Sequence, residues 1–403
     1  MSGYAVPPPA EERELQITAA DRLLMLAPHP DDEALAAGGL LQRAIGADAE
    51  VRILYVTSGE NNPWAQRANE WRWSLGEEDR SRWGARRWEE SLAALARLGV
   101  PAPCAKRLGF PDQGLTDLLL RGGADLIEVL AEEIASWRPT ILLAPAPWDI
   151  HPDHSALALL AHFAVARVPV MADAAAVLQY VVHGRARPRP GGGVLIRLDD
   201  EMRARKREAI LCHRTQLPLR RGYLLRFAEG AERFGVADAE PDHGGQHPIA
   251  DLAIEDGSLR VEIHRPLPRG LGRPRLLVAF ERCGGTTSLL EVQLGVRSRR
   301  ARVLAGASGR RGAELPIRAE AGLIRLTLPL PDGPDAAEGS VFAKLERTMM
   351  RRLGVFDAFG WRHAWPPSPG RRRASGRGRQ GAGAEREAVV LASATSDHAH
   401  DRQ

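Results

Sequence analysis

Two short apolar runs, residues 22–28 and 140–145, each end in proline and are each followed within a few residues by a histidine-acid cluster. The first cluster is Pro28-His29-Pro30-Asp31-Asp32-Glu33, and the second, about 120 residues later, is His151-Pro152-Asp153-His154. A continuous apolar run stopped by proline reads as a buried strand, because proline cannot donate to the ladder. An Ala/Leu-rich stretch with helical spacing follows each cluster. Both clusters therefore fall where a strand turns into a helix, which restricts the fold to one in which strands and helices alternate.

The rest of the chain extends that alternation. Strands are expected at 51–57, 105–110 and 177–183, and helices at 33–45, 89–98, 124–137 and 155–167. Acids at the start of the 33–45 stretch suit a helix N-terminus. This predicts an α/β fold: a Rossmann-like, mostly parallel sheet with helices on both faces. From about residue 240 the texture changes to short runs between Gly/Pro turns (259–264, 275–280, 289–296, 301–304, 323–330), which reads as a small β-rich, sandwich-like region. The expected organisation is a leader (1–20), an α/β domain (20–237), a β-rich accessory domain (245–335), a helical C-terminal segment (336–365, with its helix at 341–353) and a disordered tail (366–403). No internal repeat is visible.

Composition narrows the function classes. Across 403 residues, 26% are charged and 44% hydrophobic, with a net charge of +4, as in an ordinary globular protein. The basic excess gathers in Arg371-Arg372-Arg373, Arg377 and Arg379, within a Gly/Ser-rich stretch that reads as a solvated tail, so no nucleic-acid partner is expected. Cys104, Cys212 and Cys283 lie far apart and offer neither a disulfide framework nor a thiolate zinc site. The N-terminus has no apolar signal region and no stretch is long enough to span a bilayer, so a cytoplasmic location is expected.

In a parallel α/β sheet, ligands gather at the carboxyl ends of the strands, where both clusters fall. His29 and Asp32 lie three residues apart on the turn leaving the first strand, and His154 comes from a distant one. Two imidazoles and a carboxylate that leave a coordination position open are the donor set of a catalytic zinc site, and ferrous iron suits the same set. Asp31, beside Asp32, is placed to take a proton from water, and a metal would bring that water's pKa to about 7. His151 shares a face with His154 and can serve a substrate carbonyl. Asp153 can hydrogen-bond a histidine ring.

These residues resemble the PIG-L/LmbE family of metal-dependent N-deacetylases. Further matches are Arg87 before the Leu98-Gly99-Val100 turn, Leu108-Gly109-Phe110-Pro111-Asp112, His213-Arg214-Thr215-Gln216, and Glu232-Arg233-Phe234 as a domain end. The resemblance covers residues 20–237. It implies that His29, Asp32 and His154 ligate zinc and that Asp31 is the general base. It implies that His151 stabilises the oxyanion as an imidazolium, and that Arg87 and Asp112 hold sugar hydroxyls. The implied reaction is hydrolysis of an N-acyl amide, most simply N-deacetylation of a 2-acetamido sugar or conjugate, giving acetate and a free amine. Where the family commonly has a proton donor before the second motif, this chain has Asp149 and Ile150, so the acid for the leaving amine is either Asp31 or His151. A larger N-acyl conjugate (a glycolipid or secondary metabolite), or a carbohydrate- or partner-binding protein on the same scaffold, are the alternatives. The oligomeric state is not legible.

Other residues invite weaker readings. Five of nine tryptophans (Trp64, Trp71, Trp73, Trp83, Trp88) fall in one segment, which is either a substrate-covering loop or a packed helical insertion. Glu60 and Asn61 begin it and are candidates for lining a pocket. His183, at the end of a later strand on the same sheet edge, is a candidate pocket residue or, as the better reading, a locally satisfied strand-end histidine, and His243 and His247 read as solvated. Cys212-His213 lacks the surroundings of a nucleophile. Gly38-Gly39 is no dinucleotide fingerprint.

Overall fold

The computed structural model describes residues 13–168, 176–184, 187–188, 193–236, 241–242, 247–255, 257–267, 271–281, 287–295, 300–305, 312–320, 322–330, 340–347, 356 and 359–364. The tail expected at 366–403, His243 and Cys283 lie outside these residues.

The α/β part is built from β1 (Arg13–Glu14), β2 (Arg22–Ala27), α1 (Asp32–Gly46), β3 (Glu50–Thr57), α2 (Pro63–Glu70), α3 (Glu77–Arg97), β4 (Ala105–Phe110), α4 (Leu115–Leu120), α5 (Ala124–Trp137), β5 (Ile141–Pro145), α6 (Pro152–Ala166), β6 (Ala176–Tyr180), β7 (Arg187–Pro188), β8 (Gly193–Ile196), α7 (Asp200–Cys212), α8 (Leu217–Leu225), β9 (Glu232–Val236) and β10 (Pro241–Asp242). Eight strands form one sheet in the order β1-β8-β9-β6-β5-β2-β3-β4. The run β6-β5-β2-β3-β4 is parallel, and β9 runs antiparallel to both β6 and β8. Leu23 and Met25 of β2 face one apolar core, and Leu24 and Leu26 face the other. A strand buried on both faces has no polar alternation, so β2 reads as a solid apolar run. Residues 13–14, expected within a leader, instead pair in parallel with β8. The helix expected at 89–98 is the last part of the longer α3, whose N-terminal half is too charged to show an apolar stripe.

The β-rich part comprises β11 (Ile249–Glu255), β12 (Ser258–His264), β13 (Pro274–Glu281), β14 (Thr287–Leu294), β15 (Arg300–Ala305), β16 (Glu314–Pro316), β17 (Arg318–Glu320), β18 (Leu323–Pro329), β19 (Val341–Arg347) and β20 (Arg362–Ala364). It folds as a four-stranded sheet, β11-β12-β18-β17, and a six-stranded sheet, β16-β15-β14-β13-β19-β20. Leu276, Val278 and Phe280 of β13 share a core with Val261 and Leu326 of the four-stranded sheet. Leu277 and Ala279, between them, join the core beneath α5 and α6. The six-stranded sheet is therefore covered on both faces, once by its partner sheet and once by the helices of the α/β part.

That double burial corrects the helix expected at 341–353, whose residues 341–347 are β19. Val341, Ala343 and Leu345 face the sandwich core, Phe342 faces the α/β helices, and Lys344 on that same side reaches Ser155 Oγ of α6 at 3.5 Å. Ala, Leu, Glu and Lys favour helices locally, but pairing with β13 and β20 and a two-sided fit decide the matter. His247, read as solvated, is buried, and its Nδ1 accepts from the Ile249 amide at 3.1 Å. Among the described residues no helix is long and apolar enough to cross a membrane.

Candidate metal centre

The site forms at the carboxyl ends of β2, β4, β5 and β6, where the ladder stops and side chains from four loops converge. The turn after β2 supplies His29, Asp31 and Asp32. The turn after β4 supplies Asp112, the turn after β5 supplies Asp149, His151, Asp153 and His154, and the segment after β6 supplies His183. His29, His151 and His154 each place a ring nitrogen within 4.8 Å of the other two. Asp32 bridges two of them, with Oδ2 3.7 Å from His29 Nδ1 and Oδ1 3.4 Å from His154 Nε2. The three ligands expected from sequence are thus brought together, but the tightest cluster of ring nitrogens also includes His151. A second metal-capable group, His29 with Asp112 and Asp153, shares the His29 ring.

The donor set fits a divalent metal. His154 is fully buried, and neither ring nitrogen makes a hydrogen bond of ordinary geometry. Such orphaned nitrogens are costly without a partner, and metal coordination supplies one. Behind His154, Asp149 Oδ2 stands 3.3 Å from Nδ1, the carboxylate-behind-imidazole arrangement that orients a ligating ring. Asp149 is itself immobilised, accepting from the amides of His151 (2.8 Å), Val182 (2.9 Å) and His183 (3.0 Å). Although burial opposes it, the His154 ring holds the Asp149 carboxyl below its usual range, so this side chain stays an acceptor rather than an acid.

Around the cluster the charges are sorted. Burial alone would depress His29, but Asp112, Asp153 and Asp32 outweigh it and raise its pKa well above the ordinary value. Asp32, against the same penalty, is held well below the carboxylate range by His154 and His29. Asp31 behaves oppositely. Burial pushes it up to about 6, with Asp32 adding to the rise and Arg87 opposing it. Two adjacent carboxyls with divergent proton affinities is the arrangement expected of one ligand and one proton acceptor.

Asp31 sits at φ 116°, in the left-handed region, as the residue before α1. This strain is held by contacts on both sides. Its amide donates to Glu33 Oε2 at 2.9 Å, Arg87 Nη2 lies 3.2 Å from its Oδ2, and the same guanidinium donates to the carbonyls of Pro30 and Gly59. Gly59 is required here, since at φ +63° an added Cβ would stand 2.1 Å from Arg87 Nη1. Glu33 in turn meets the buried His213 ring at 2.9 Å, which gives the His213 segment a supporting rather than a nucleophilic place.

His151 is the N-cap of α6, and its Nδ1 accepts from the Asp153 amide at 3.2 Å. Burial, then the positive charges at His29 and His154, push its pKa well below the usual value. This setting favours a neutral ring over the imidazolium implied by the family resemblance, and with Nδ1 accepting, its proton would sit on Nε2.

A cavity of about 240 Å³ opens over the cluster, lined by His29, Asp31, Arg87, Asp112, His151 and Asp153 together with Asn62, Trp64, His183, Gln216, Arg220 and Phe356. Arg87 and Asp112 reach it but are already engaged, Arg87 as above and Asp112 through Asn61 N (2.7 Å) and His29 Nε2 (3.2 Å). Asp153 accepts from the Gln113 and Leu115 amides and lies 3.3 Å from His29 Nε2. Glu60 accepts from the Asp112 amide at 2.8 Å, so it and Asn61 brace Asp112 rather than line the cavity. The tryptophan segment divides. Trp83 is fully buried, Trp88 packs edge-on against Tyr55, Trp71 and Trp73 are exposed, and Trp64 reaches the cavity.

His183, a candidate pocket residue from its place past a carboxyl-terminal strand edge, does line the cavity. Arg220 and Phe356 were not legible as cavity residues. Phe356 comes from between β19 and β20, and no local pattern ties it to this loop cluster.

Residues 24–165 match the family described as PIG-L, GlcNAc-PI de-N-acetylase. Residues 24–165 are a PIG-L family domain. The PIG-L domain thus runs from β2 to α6 and contains both histidine motifs. A 1D-myo-inositol 2-acetamido-2-deoxy-alpha-D-glucopyranoside deacetylase from Mycobacterium sp. (strain KMS) is 34% identical over 147 residues, 33% of this chain and 46% of its own. A diacetylchitobiose deacetylase from Thermococcus kodakarensis is 29% identical over 138 residues, 33% of this chain and 45% of its own. The chain spans about half the length of the curated relatives it matches. Among solved structures, an N,N'-diacetylchitobiose deacetylase from Pyrococcus horikoshii superposes with a TM-score of 0.41 at 22% identity, covering 54% of this chain and 83% of its own.

Proposed function

We propose that this protein is a zinc-dependent N-deacetylase that hydrolyses the acetamide of a 2-acetamido sugar or sugar conjugate, releasing acetate and a free amine. The observation that carries the reading is the cluster of buried His29 and His154 with half-buried His151, the first two bridged by Asp32, and the proton acceptor Asp31 beside it at one cavity. The PIG-L domain and the two deacetylase relatives support it.

His29, Asp32 and His154 would hold the metal. When bound, zinc supplies Lewis-acid polarisation of the amide carbonyl and acidifies water. Asp31 takes the proton from the attacking water, a task suited to a carboxyl pushed up to about 6. His151 Nε2–H donates to the carbonyl oxygen as negative charge develops there. As the C–N bond breaks, the amine needs a proton. A neutral imidazole gives up its remaining proton poorly, so Asp31 delivers the one it took. Arg87 fixes Asp31 through that cycle, and Asp112, with the cavity's other polar groups, faces sugar hydroxyls.

The test is acetate release from N-acetylglucosamine, diacetylchitobiose and inositol-linked N-acetylglucosamine by the metal-stripped and zinc-reloaded protein, with Asp31→Asn in parallel. Release should appear on reloading and fall by about a thousandfold in Asp31→Asn. Equal release by stripped and reloaded protein, or by Asp31→Asn and wild type, overturns the reading.

A further inference from the structure

The cavity takes one wall from outside the α/β part. The chain after β19 returns across the second histidine motif. The Trp361 amide donates to Pro147 O at 2.7 Å, and Gly360 lies so close to Pro147 and Trp148 that an added Cβ would fall 2.4 Å from the Pro147 carbonyl oxygen. Trp361 itself is buried in the core it shares with α6. This docking delivers the Phe356 ring to the cavity, 5.0 Å from the His151 ring and 4.7 Å from the His183 ring, centroid to centroid. The Arg220 guanidinium lies over the same ring, 5.6 Å from its centre.

The contacts give the cavity two chemically different ends. Arg87 and Asp112 touch Asp31 and His29, and both are charged. Phe356 packs against His151 and His183 and presents an apolar ring to the cavity there, with the Arg220 guanidinium beside it. A planar trans amide directs its nitrogen substituent and its acyl carbon to opposite sides. With the sugar at the polar end and the carbonyl oxygen at His151, the acyl group is directed toward Phe356.

Resting on the deacetylase reading, we propose that Phe356, which lies between β19 and β20 of the β-rich part, is a specificity-determining residue that closes the acyl end of the cavity and restricts it to short acyl groups. The β-rich region then has a place in catalysis, because without it the acyl end of the site would be open to solvent.

The test compares full-length, zinc-loaded wild type with Phe356→Ala and Phe356→Leu, metal content and thermal midpoint being checked for each. Turnover is read on N-acetyl-, N-propionyl-, N-butyryl- and N-hexanoylglucosamine, and binding of acetate, butyrate and hexanoate by calorimetry. In Phe356→Ala the butyryl-to-acetyl ratio of kcat/KM should rise about tenfold, with Phe356→Leu intermediate, and carboxylate preference should move toward the longer chains. An unchanged ratio overturns the proposal. A uniform rise in KM across the series also does so, because it would place Phe356 against the sugar, as does an unaltered carboxylate profile or no carboxylate binding. If wild type cleaves none of the amides while carboxylate preference still lengthens in Phe356→Ala, the acyl wall stands and the deacetylase reading falls.

Discussion

Arg87 Nη2 lies 3.2 Å from Asp31 Oδ2 while its guanidinium also serves the carbonyls of Pro30 and Gly59, so one buried cation clamps both the strained backbone and the carboxyl of the residue before α1. Arg87→Ala leaves two buried carbonyls and a buried carboxylate without this donor and should cost on the order of 3 kcal/mol. Arg87→Lys should not restore it, because a single ammonium cannot span three acceptors as the planar fork does. Urea midpoints of the three proteins check this, and a lysine variant as stable as wild type would show the fork to be dispensable.

Because the orphaned His154 nitrogens lie in the folded state alone, a metal bound there should stabilise the fold by mass action. At a thousandfold excess over Kd the gain is about 4 kcal/mol. Chelation should therefore lower the melting temperature of the wild type and leave that of His154→Ala nearly unmoved, and elemental analysis should find the variant depleted of zinc. Identical chelator responses would place any bound metal elsewhere.

Gly360 packs against the Pro147 carbonyl where no Cβ fits. Gly360→Ala should push the returning segment off the second histidine motif, at a cost of about 1–3 kcal/mol. Turnover should fall with it, since Phe356 and the loop carrying His151 are displaced together. A melting temperature and kcat/KM equal to wild type would count against this docking.

His162 of α6 and His363 of β20 meet between the two parts of the fold, their rings 5.9 Å apart beside Phe342. Burial pushes His162 down to about 4, and burial with the nearby His162 pushes His363 down to about 3. Both folded-state values lie below the unfolded value, so the neutral rings contribute their full stability above pH 6.5. As pH falls from 6.5 toward 3, the unfolded chain takes up protons the folded one refuses, and stability is lost, on the order of 3 kcal/mol per histidine. Denaturant titrations at pH 7, 5.5 and 4.5 should show a shallower decline in a His162→Gln, His363→Phe double variant. Parallel declines would show that these rings are not what acid attacks.

Much of the site could be read from the chain because its parts are local. His29, Asp31 and Asp32 share one turn and His151, Asp153 and His154 another, and each turn is flagged by an apolar strand before it and a helix after it. What the chain did not show rests on distant contacts. Nothing local reveals that Arg87, expected to hold sugar hydroxyls, also donates to the carbonyls of Pro30 and Gly59. Nor does anything local reveal that His151, expected as an imidazolium, caps α6 with its Nδ1 accepting from the Asp153 amide.

The alternating α/β order, the two histidine turns and the β texture after residue 240 are legible along the chain, because strand, turn and helix signals act over a few residues. That 341–347 is a strand, that His183 does line the cavity and that Phe356 reaches it are seen in the folded protein alone. Those outcomes depend on which surfaces meet across the fold. A residue facing two cores, or a ring carried to a loop some 200 residues away in sequence, is selected by packing that no local pattern encodes.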